Sequence, residues 1–340
     1  MSGSASSQSP AAEVLQWIKD HERVLVVAHE RPDGDAIASV TGMLCILRSL
    51  AVEASGYLPQ PMPKRYQGIL PVFPELSLTA PQPDAPWDGI ICLDTTGIDR
   101  LAVPSSVTID SYLPADVCTI DHHMDNSRFG ACVWVDAEMS ATAQMLYFLA
   151  ATAGLMTPQL ATCLTLGMVT DTGGFRFPNT SSTVLRTVAA LCDEGADYDA
   201  IMDAVFFRTP YARRLLEARL TLSAEFAYDQ RLMYAVIRPE LLERLNVSVE
   251  DTEGIIDVLR TVDGVDITCL VQPEGDAVRL SLRGRSHETP VVDIARQLGG
   301  GGHTLAAGVR LEKTSVERAK QKLIKLAGTV LHNDRSEDSR

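Results

Sequence analysis

Three short stretches of the chain end on side chains that bind hard cations and move protons. H-E-R-P-D-G-D carries His29, Asp33 and Asp35, L-D-T-T carries Asp94, and D-H-H carries Asp121, His122 and His123. A fourth stretch, T-D-T-G-G, adds Asp171. Carboxylates mixed with imidazoles, with no cysteine among them, suit a first-row divalent cation. Mn²⁺ is the first choice, with Mg²⁺ or Co²⁺ as alternatives. Two such ions about 3.5–4 Å apart can clamp a phosphate and activate a water between them. Each residue alone has a plainer reading: an Asp after a strand commonly closes a turn, and adjacent histidines can simply lie on a surface. The distribution argues otherwise. Of the seven histidines, three (His29, His122 and His123) stand beside aspartates where apolar runs end.

Those runs are short and β-branched, as buried strands are: 24–28 (VLVVA), 89–93 (GIICL) and 117–120 (VCTI). Helical spacing fills 11–22 and 36–50, then 140–153, 158–169 and 181–194. Strands alternating with helices predict an α/β fold with a parallel sheet, whose ligands bind beyond the carboxyl ends of the strands. Pro32 and Gly34 force a tight loop there, so His29, Asp33 and Asp35 can converge. Residues 197–223 read as wholly helical. The remainder changes texture: strands at 232–237, 266–272, 277–283 and 306–311, helices at 249–260, 290–297 and 314–328, and a Gly-rich turn at 299–302. This predicts a catalytic, metal-binding domain over 11–195, a helical connector over 196–225, and a smaller α/β substrate-binding domain over 226–330.

With 340 residues, 46% of them hydrophobic, the chain can bury two ordinary cores. Its net charge of −14 repels long duplex nucleic acid. A small phosphate ligand remains compatible, given metal ions and a few placed cations. Arg100, six residues past Asp94, and Arg176 in G-F-R-F are candidates at the first site, local packing being the competing reading for Arg176. In the second half Arg283, Arg285, Gly300, Gly301, Gly302 and His303 form a second candidate group, since a glycine run lets backbone N–H groups approach an anion and His and Arg add donors. His21, His287 and His332 lack such company and read as surface residues. Seven cysteines with no C-x-x-C pair predict buried free thiols and a reducing cytoplasm. No apolar run reaches the roughly 18 residues of a membrane span. Residues 1–10 read as a loose arm, and 332–340 as a frayed end.

H-x-x-P-D-G-D-x-x-x-S, the L-D-T-T aspartate, D-H-H and T-D-T-G-x-F-R-F resemble, in order, the motifs of the DHH phosphoesterase superfamily. S-L-R-G-R and G-G-G-G-H-x-x-A-A-G resemble the DHH-associated substrate domain of NrnA-type oligoribonucleases and pAp phosphatases. Together they span residues 29–308. Ala38 stands where the family often has Gly, which implies slight crowding of the first helical turn and no lost ligand. The resemblance implies one ion on His29, Asp33 and Asp94 and another on Asp35, Asp94, His122 and Asp171, with Asp94 bridging. It implies that His123 faces the substrate phosphate and that Asp121 fixes an imidazole from behind.

The expected activity is metal-dependent hydrolysis of short oligoribonucleotides to mononucleotides, extending to pAp. The expected partner is a small nucleotide or short single-stranded RNA, with neither long duplex nor membrane, and a homodimer is left open. A phosphodiesterase for cyclic or linear dinucleotides is the alternative, using the same residues. A pyrophosphatase fits less well, because that branch lacks G-G-G-G-H. A non-catalytic nucleotide sensor fits less well because every ligand position is filled. A processive exonuclease would need a further basic nucleic-acid-binding domain.

Overall fold

The structure is a computed structural model that describes residues 9–59, 62–71, 76–77, 87–103, 107–249, 252 and 254–333. The chain divides into two compact units, Met1–Arg208 and Thr209–Arg340.

Unit one is built on a sheet of β1 (Arg23–Val27), β2 (Glu53–Tyr57), β3 (Leu76–Ser77), β4 (Gly89–Leu93), β5 (Val117–Asp121) and β6 (Cys132–Val135). The strands lie in the order β3-β2-β1-β4-β5-β6, and every pairing is parallel. Chain order reverses between β1 and β4, the place where an open α/β sheet leaves a crevice at its carboxyl edge. Alternate residues of each strand feed different cores, as a period of two dictates. Val24, Val26, Ile91, Leu93, Cys118 and Ile120 pack under the helices. Leu25, Val27, Ile90, Cys92 and Val117 pack on the other face against Trp87, Phe129 and loop residues such as Ile98 and Tyr112. The helical layer comprises α1 (Pro10–Lys19), α2 (Gly34–Ser49), α3 (Thr142–Ala153), α4 (Pro158–Asp171), α5 (Ser182–Asp193) and α6 (Tyr198–Met202). α2 and α4 approach closely because Gly167 carries no side chain: a Cβ there would lie 2.5 Å from both Asp35 Oδ1 and the Ala143 methyl. Ala38 is fully buried at the same crossing, 3.3 Å from where that Cβ would stand, so its methyl is accommodated opposite a glycine.

Unit two holds α7 (Tyr211–Leu222), β7 (Glu225–Ala227), β8 (Leu232–Val236), α8 (Pro239–Leu245), α9 (Ile255–Leu259), β9 (Ile267–Glu274), β10 (Ala277–Gly284), α10 (Val291–Gln297), β11 (Gly301–His303), β12 (Ala306–Leu311) and α11 (Val316–Asn333). Its sheet runs β11-β12-β10-β9-β8-β7. β8 and β9 are parallel and the other pairs antiparallel. Leu232, Tyr234, Ile267, Cys269 and Leu280 face α10 and α11, and Met233, Ala235 and Leu270 face α7, α8 and α9.

The fold departs from the sequence expectations at several places. Residues 197–223 are not one helix: α6 runs into a wider π turn, Asp203–Phe207, and the chain breaks at 208–210 before α7. Pro210, with no N–H to give, stands immediately before α7, and the unit boundary falls at this break. The helix expected over 249–260 is only Ile255–Leu259, because Gly254 at φ 74° cannot continue it backwards; residues 250, 251 and 253 lie outside the described residues. The expected turn is shorter than 299–302: it closes at Leu298 and Gly299, Gly301–His303 is already a strand, and a second turn follows at Thr304 and Leu305. Ser9 and Pro10 are not a loose arm, since Ser9 caps α1 by accepting from the Ala12 N–H, while residues 1–8 lie outside the described residues. Residues 332 and 333 continue α11 instead of fraying, and 334–340 lie outside the described residues. His21 is half-buried, its ring stacked on Trp17 at 3.9 Å and its Nδ1 2.7 Å from the Trp17 carbonyl. His287 is exposed, and the side chain of His332 is outside the described part of the chain. All seven cysteines are free, with Cys192 exposed. Among the described residues, no helix is long and apolar enough to cross a membrane.

Candidate active site

The candidate residues of unit one gather at the carboxyl ends of β1, β4 and β5, where the strand order reverses. His29 leaves β1 and bridges to Leu101. Asp33 caps α2, its Oδ1 accepting from the N–H groups of Asp35 and Ala36 at 3.0 and 3.1 Å. That cap fixes the loop, and the next turn carries Asp35 into the interior at 1% exposure. Asp35 is held there by the Thr142 N–H (2.7 Å) and Ala143 N–H (3.1 Å) at the start of α3, and by the Ser39 hydroxyl (3.2 Å). Asp94 follows β4 with φ 53°, a left-handed conformation that Asp tolerates better than most residues. Its N–H is bonded to the Ile120 carbonyl at the end of β5.

Asp94 is the centre of the group. It is 2% exposed, and its Oδ1 accepts from the Thr142 hydroxyl at 3.2 Å. His29 Nε2 lies 3.7 Å from its Oδ2, while His122 Nε2 and His123 Nδ1 lie 3.5 and 3.7 Å from its Oδ1. His122 Nε2 is also 3.4 Å from Asp171 Oδ2, at the last residue of α4, and His29 Nε2 is 4.0 Å from Asp33. Asp121 plays a different part: its Oδ1 is 2.7 Å from His123 Nδ1, and its Oδ2 accepts from the Asn126 amide at 2.7 Å.

The electrostatics are those of crowded carboxylates. Burial, then the neighbouring charge of Asp33, pushes the Asp35 carboxyl up to about 7, against the opposing hydrogen bonds from α3. Burial together with the charges of Asp35, Asp33, Asp121 and Asp171 pushes Asp94 well above the carboxylate range. Burial lowers His29 and keeps its ring neutral, as a metal ligand must be. Burial would also lower His123, but the hydrogen bond to Asp121 and the charges of Asp121, Asp33 and Asp125 together hold it above its ordinary value.

This donor set fits divalent cations. The sets His29–Asp33–Asp94 and Asp35–His122–Asp171 each have one donor atom per residue, all within 4.8 Å of one another. Separations of 3.4–3.7 Å between imidazole nitrogens and carboxylates are too long for hydrogen bonds. They approach the roughly 3.0–3.5 Å expected between donors bound at about 2.1 Å to one ion.

Arg100 lies exposed on the 3-10 turn Ile98–Arg100, close enough for its charge to lower His29. Arg176 packs locally, its guanidinium over the Phe206 ring at 5.1 Å and its Nε donating to the Gly173 carbonyl. In unit two, Arg283 Nε donates to Asp257 at 3.0 Å. Arg285 grips its neighbouring loop through the carbonyls of Val262 and Val265 and the carboxylate of Asp263. Gly301 and Gly302 pair with Gly308 and Ala307, and exposed His303 pairs with Ala306 at the sheet edge. Gly300 is compelled by packing, since a Cβ would fall 2.2 Å from the Gly308 carbonyl. Thr142 and Asn126 escaped the sequence reading. Thr142 gives no local signal, whereas Asn126 stands in the same D-H-H-M-D-N stretch as the histidines.

The sequence matches the DHH family, N-terminal domain, over residues 23–168 and the DHHA1 domain over 229–332. A relative from Thermus thermophilus, bifunctional oligoribonuclease and PAP phosphatase NrnA, is 31% identical over 314 residues, covering 92% of this chain and 91% of the relative. The chain belongs to the DHH family. A Bacillus subtilis protein of the same name is 24% identical, covering 88% of this chain and 92% of its own. The fold of this DHH protein is similar to the crystal structure of an exopolyphosphatase-related protein from Bacteroides fragilis, with TM-score 0.82 and 22% identity over 97% and 99% of the two chains. The DHH match runs from β1 into α4 and so takes in every candidate ligand except Asp171, just beyond its end.

Proposed function

We propose that this DHH protein is a divalent-metal-dependent phosphoesterase that hydrolyses short oligoribonucleotides to mononucleotides and pAp to AMP. One observation carries the reading: two acid–imidazole sets meet on the buried carboxylate of Asp94 at the sheet's reversal point. The full-length likeness to proteins named oligoribonuclease and PAP phosphatase supplies the substrate class.

In this reading His29, Asp33 and Asp94 hold one ion, and Asp35, His122, Asp171 and Asp94 hold the other. Mn²⁺ is preferred over Mg²⁺ or Co²⁺ for such a donor set. When bound, two such ions supply Lewis acidity toward a phosphate and a water acidic enough to attack it. The protein's own groups do the rest. The α3 N–H groups aim Asp35, and the Asp33 cap sets the loop that carries His29. His123, its Nδ1 held by Asp121, turns its Nε2 edge to the substrate phosphate. Arg100 offsets charge at the rim. In unit two, His303 and Arg283 anchor the nucleotide, with Arg285, Gly300, Gly301 and Gly302 giving the anchor its shape.

The test is a substrate panel with Mn²⁺: pAp, a dinucleotide, a pentanucleotide, a strand of about twenty nucleotides and a cyclic dinucleotide. An exterior of net charge −14 disfavours long strands. Initial rates should be highest on pAp and the shortest RNAs and fall steeply with length. Equal rates on dinucleotide and long strand would refute the reading, and a dominant rate on the cyclic substrate would replace it.

A further inference from the structure

Asn126 lies four residues past the first of the paired histidines, on the loop after β5, and its amide is fully engaged. Nδ2 donates to Asp121 Oδ2 at 2.7 Å and to the Thr95 carbonyl at 2.7 Å, while Oδ1 accepts from the Arg128 N–H at 2.6 Å. The loop is pinned beside it by the Ser127 N–H on the Thr96 carbonyl at 2.8 Å. The amide's orientation is therefore dictated on two sides. A backbone donor claims its oxygen, and a backbone carbonyl claims one amino hydrogen. The other hydrogen can only point at Asp121.

We propose that Asn126 is a positioning residue for the proposed reaction: its amide locks the Asp121 carboxylate, which in turn fixes the ring plane and tautomer of His123. Asp121 is fully buried, so an unanchored carboxylate there would rotate among the imidazoles. With Oδ2 tied to Asn126, Oδ1 is presented to His123 Nδ1 at 2.7 Å. The Nδ1–H is then committed to Asp121, and the ring's remaining chemistry lies at Nε2. The Asn126 side chain meets the acid–imidazole group through Asp121, while its own N–H donates to the His123 carbonyl at 3.3 Å and helps hold the same loop.

The inference rests on the phosphoesterase reading, and a double-mutant cycle separates the two. Wild type, Asn126→Ala, Asp121→Ala and the double variant are assayed with Mn²⁺ on a dinucleotide, and wild-type turnover alone tests the reading. Partners of this kind are worth about 10- to 100-fold. Asn126→Ala should lower kcat by that factor with KM unchanged, and cost less than about threefold once Asp121 is gone. Asn126→Asp keeps the shape but faces two oxygens with a third, so it should be no better than the alanine variant, and it serves as the second variant if alanine folds poorly. In metal-free protein, ¹⁵N NMR of the His123 ring should report one Nδ1–H tautomer in wild type and a mixture in the variants. Equal factors in both backgrounds, an active Asn126→Asp, or an unchanged tautomer would overturn the proposal.

Discussion

Asp94→Asn tests the centre of the site, and the structure sets its magnitude. Asparagine keeps the size, tolerates φ 53°, and still accepts from the Thr142 hydroxyl, so the backbone cost that alanine would bring is avoided. The charge is lost, and one acceptor oxygen becomes an amide donor. A shared carboxylate serves both proposed ions, so kcat should fall by at least about 10³-fold. Metal-free protein should respond the other way. Burial and four neighbouring carboxylates raise Asp94 in the fold. A carboxyl raised in the folded state stabilises fully below its unfolded value, and that contribution is lost as pH rises through the folded value. At pH 8 the wild type therefore carries a penalty that the asparagine variant lacks. Each unit of upward shift costs about 1.4 kcal/mol, and one unit alone moves Tm by about 3–6 °C for a unit of about 200 residues. Chelated Asp94→Asn should melt above chelated wild type at pH 8, with the gap closing toward about pH 4. Mn²⁺ should raise Tm strongly only in the wild type. Retention of a tenth of the activity with two bound ions would show that Asp94 is not shared. A lower metal-free Tm at pH 8 would refute the electrostatic argument.

The same geometry makes further outcomes measurable. Asp35, raised from 3.8 to about 7, gives metal-free protein stability that is present below about pH 4 and gone above about 7; the Tm difference between Mn²⁺-loaded and chelated protein should widen from acid to neutral pH, and a constant difference would count against it. Chelation should abolish turnover and Mn²⁺ restore it, whereas full activity in metal-free protein would exclude the mechanism. His303→Ala and Arg283→Ala each remove a charge-assisted donor worth about 1.5–3 kcal/mol, or about 10- to 150-fold in kcat/KM on nucleotides. Metal content and p-nitrophenyl phosphate turnover should hardly change, and equal loss on both substrates would remove unit two from the anchoring role.

The parallel sheet and the ends of its central strands were legible because buried strands are written as short apolar runs, and the residues after such a run stand at the sheet edge. β1, β4 and β5 lie within a residue of the spans read from the sequence. β2 (EASGY) was not legible, since its mixed polarity obeys no period of two. Gly301–His303 misled because glycine marks both flexible turns and close backbone approach, and only the Gly308 carbonyl beside Gly300 decides between them. The partners of Asp35 lie beyond any local pattern: Thr142 and Ala143 reach it across 107 and 108 residues of chain. His21 reads as a surface residue because its environment is made by Trp17 one turn earlier and by β4, not by its immediate neighbours.

The hydrogen bonds around the carboxylates also favour positive charge at the centre of the candidate site. Asp33 is neutralised in part by two N–H groups of the α2 cap. Asp35 has two N–H groups and a hydroxyl. Asp121 has an amide and an imidazole at 2.7 Å each. Asp94, buried like Asp35 and Asp121, has one hydroxyl at 3.2 Å and three imidazoles held 3.5 Å or more away. A fold that spends its donors on the surrounding carboxylates and leaves the central one short is unfavourable by itself, because an under-compensated buried charge costs several kcal/mol. Cations in contact with Asp94 would reverse that sign. The same arrangement that destabilises the metal-free fold would therefore give the proposed metal site its affinity, and stability and activity should rise together on titration with Mn²⁺.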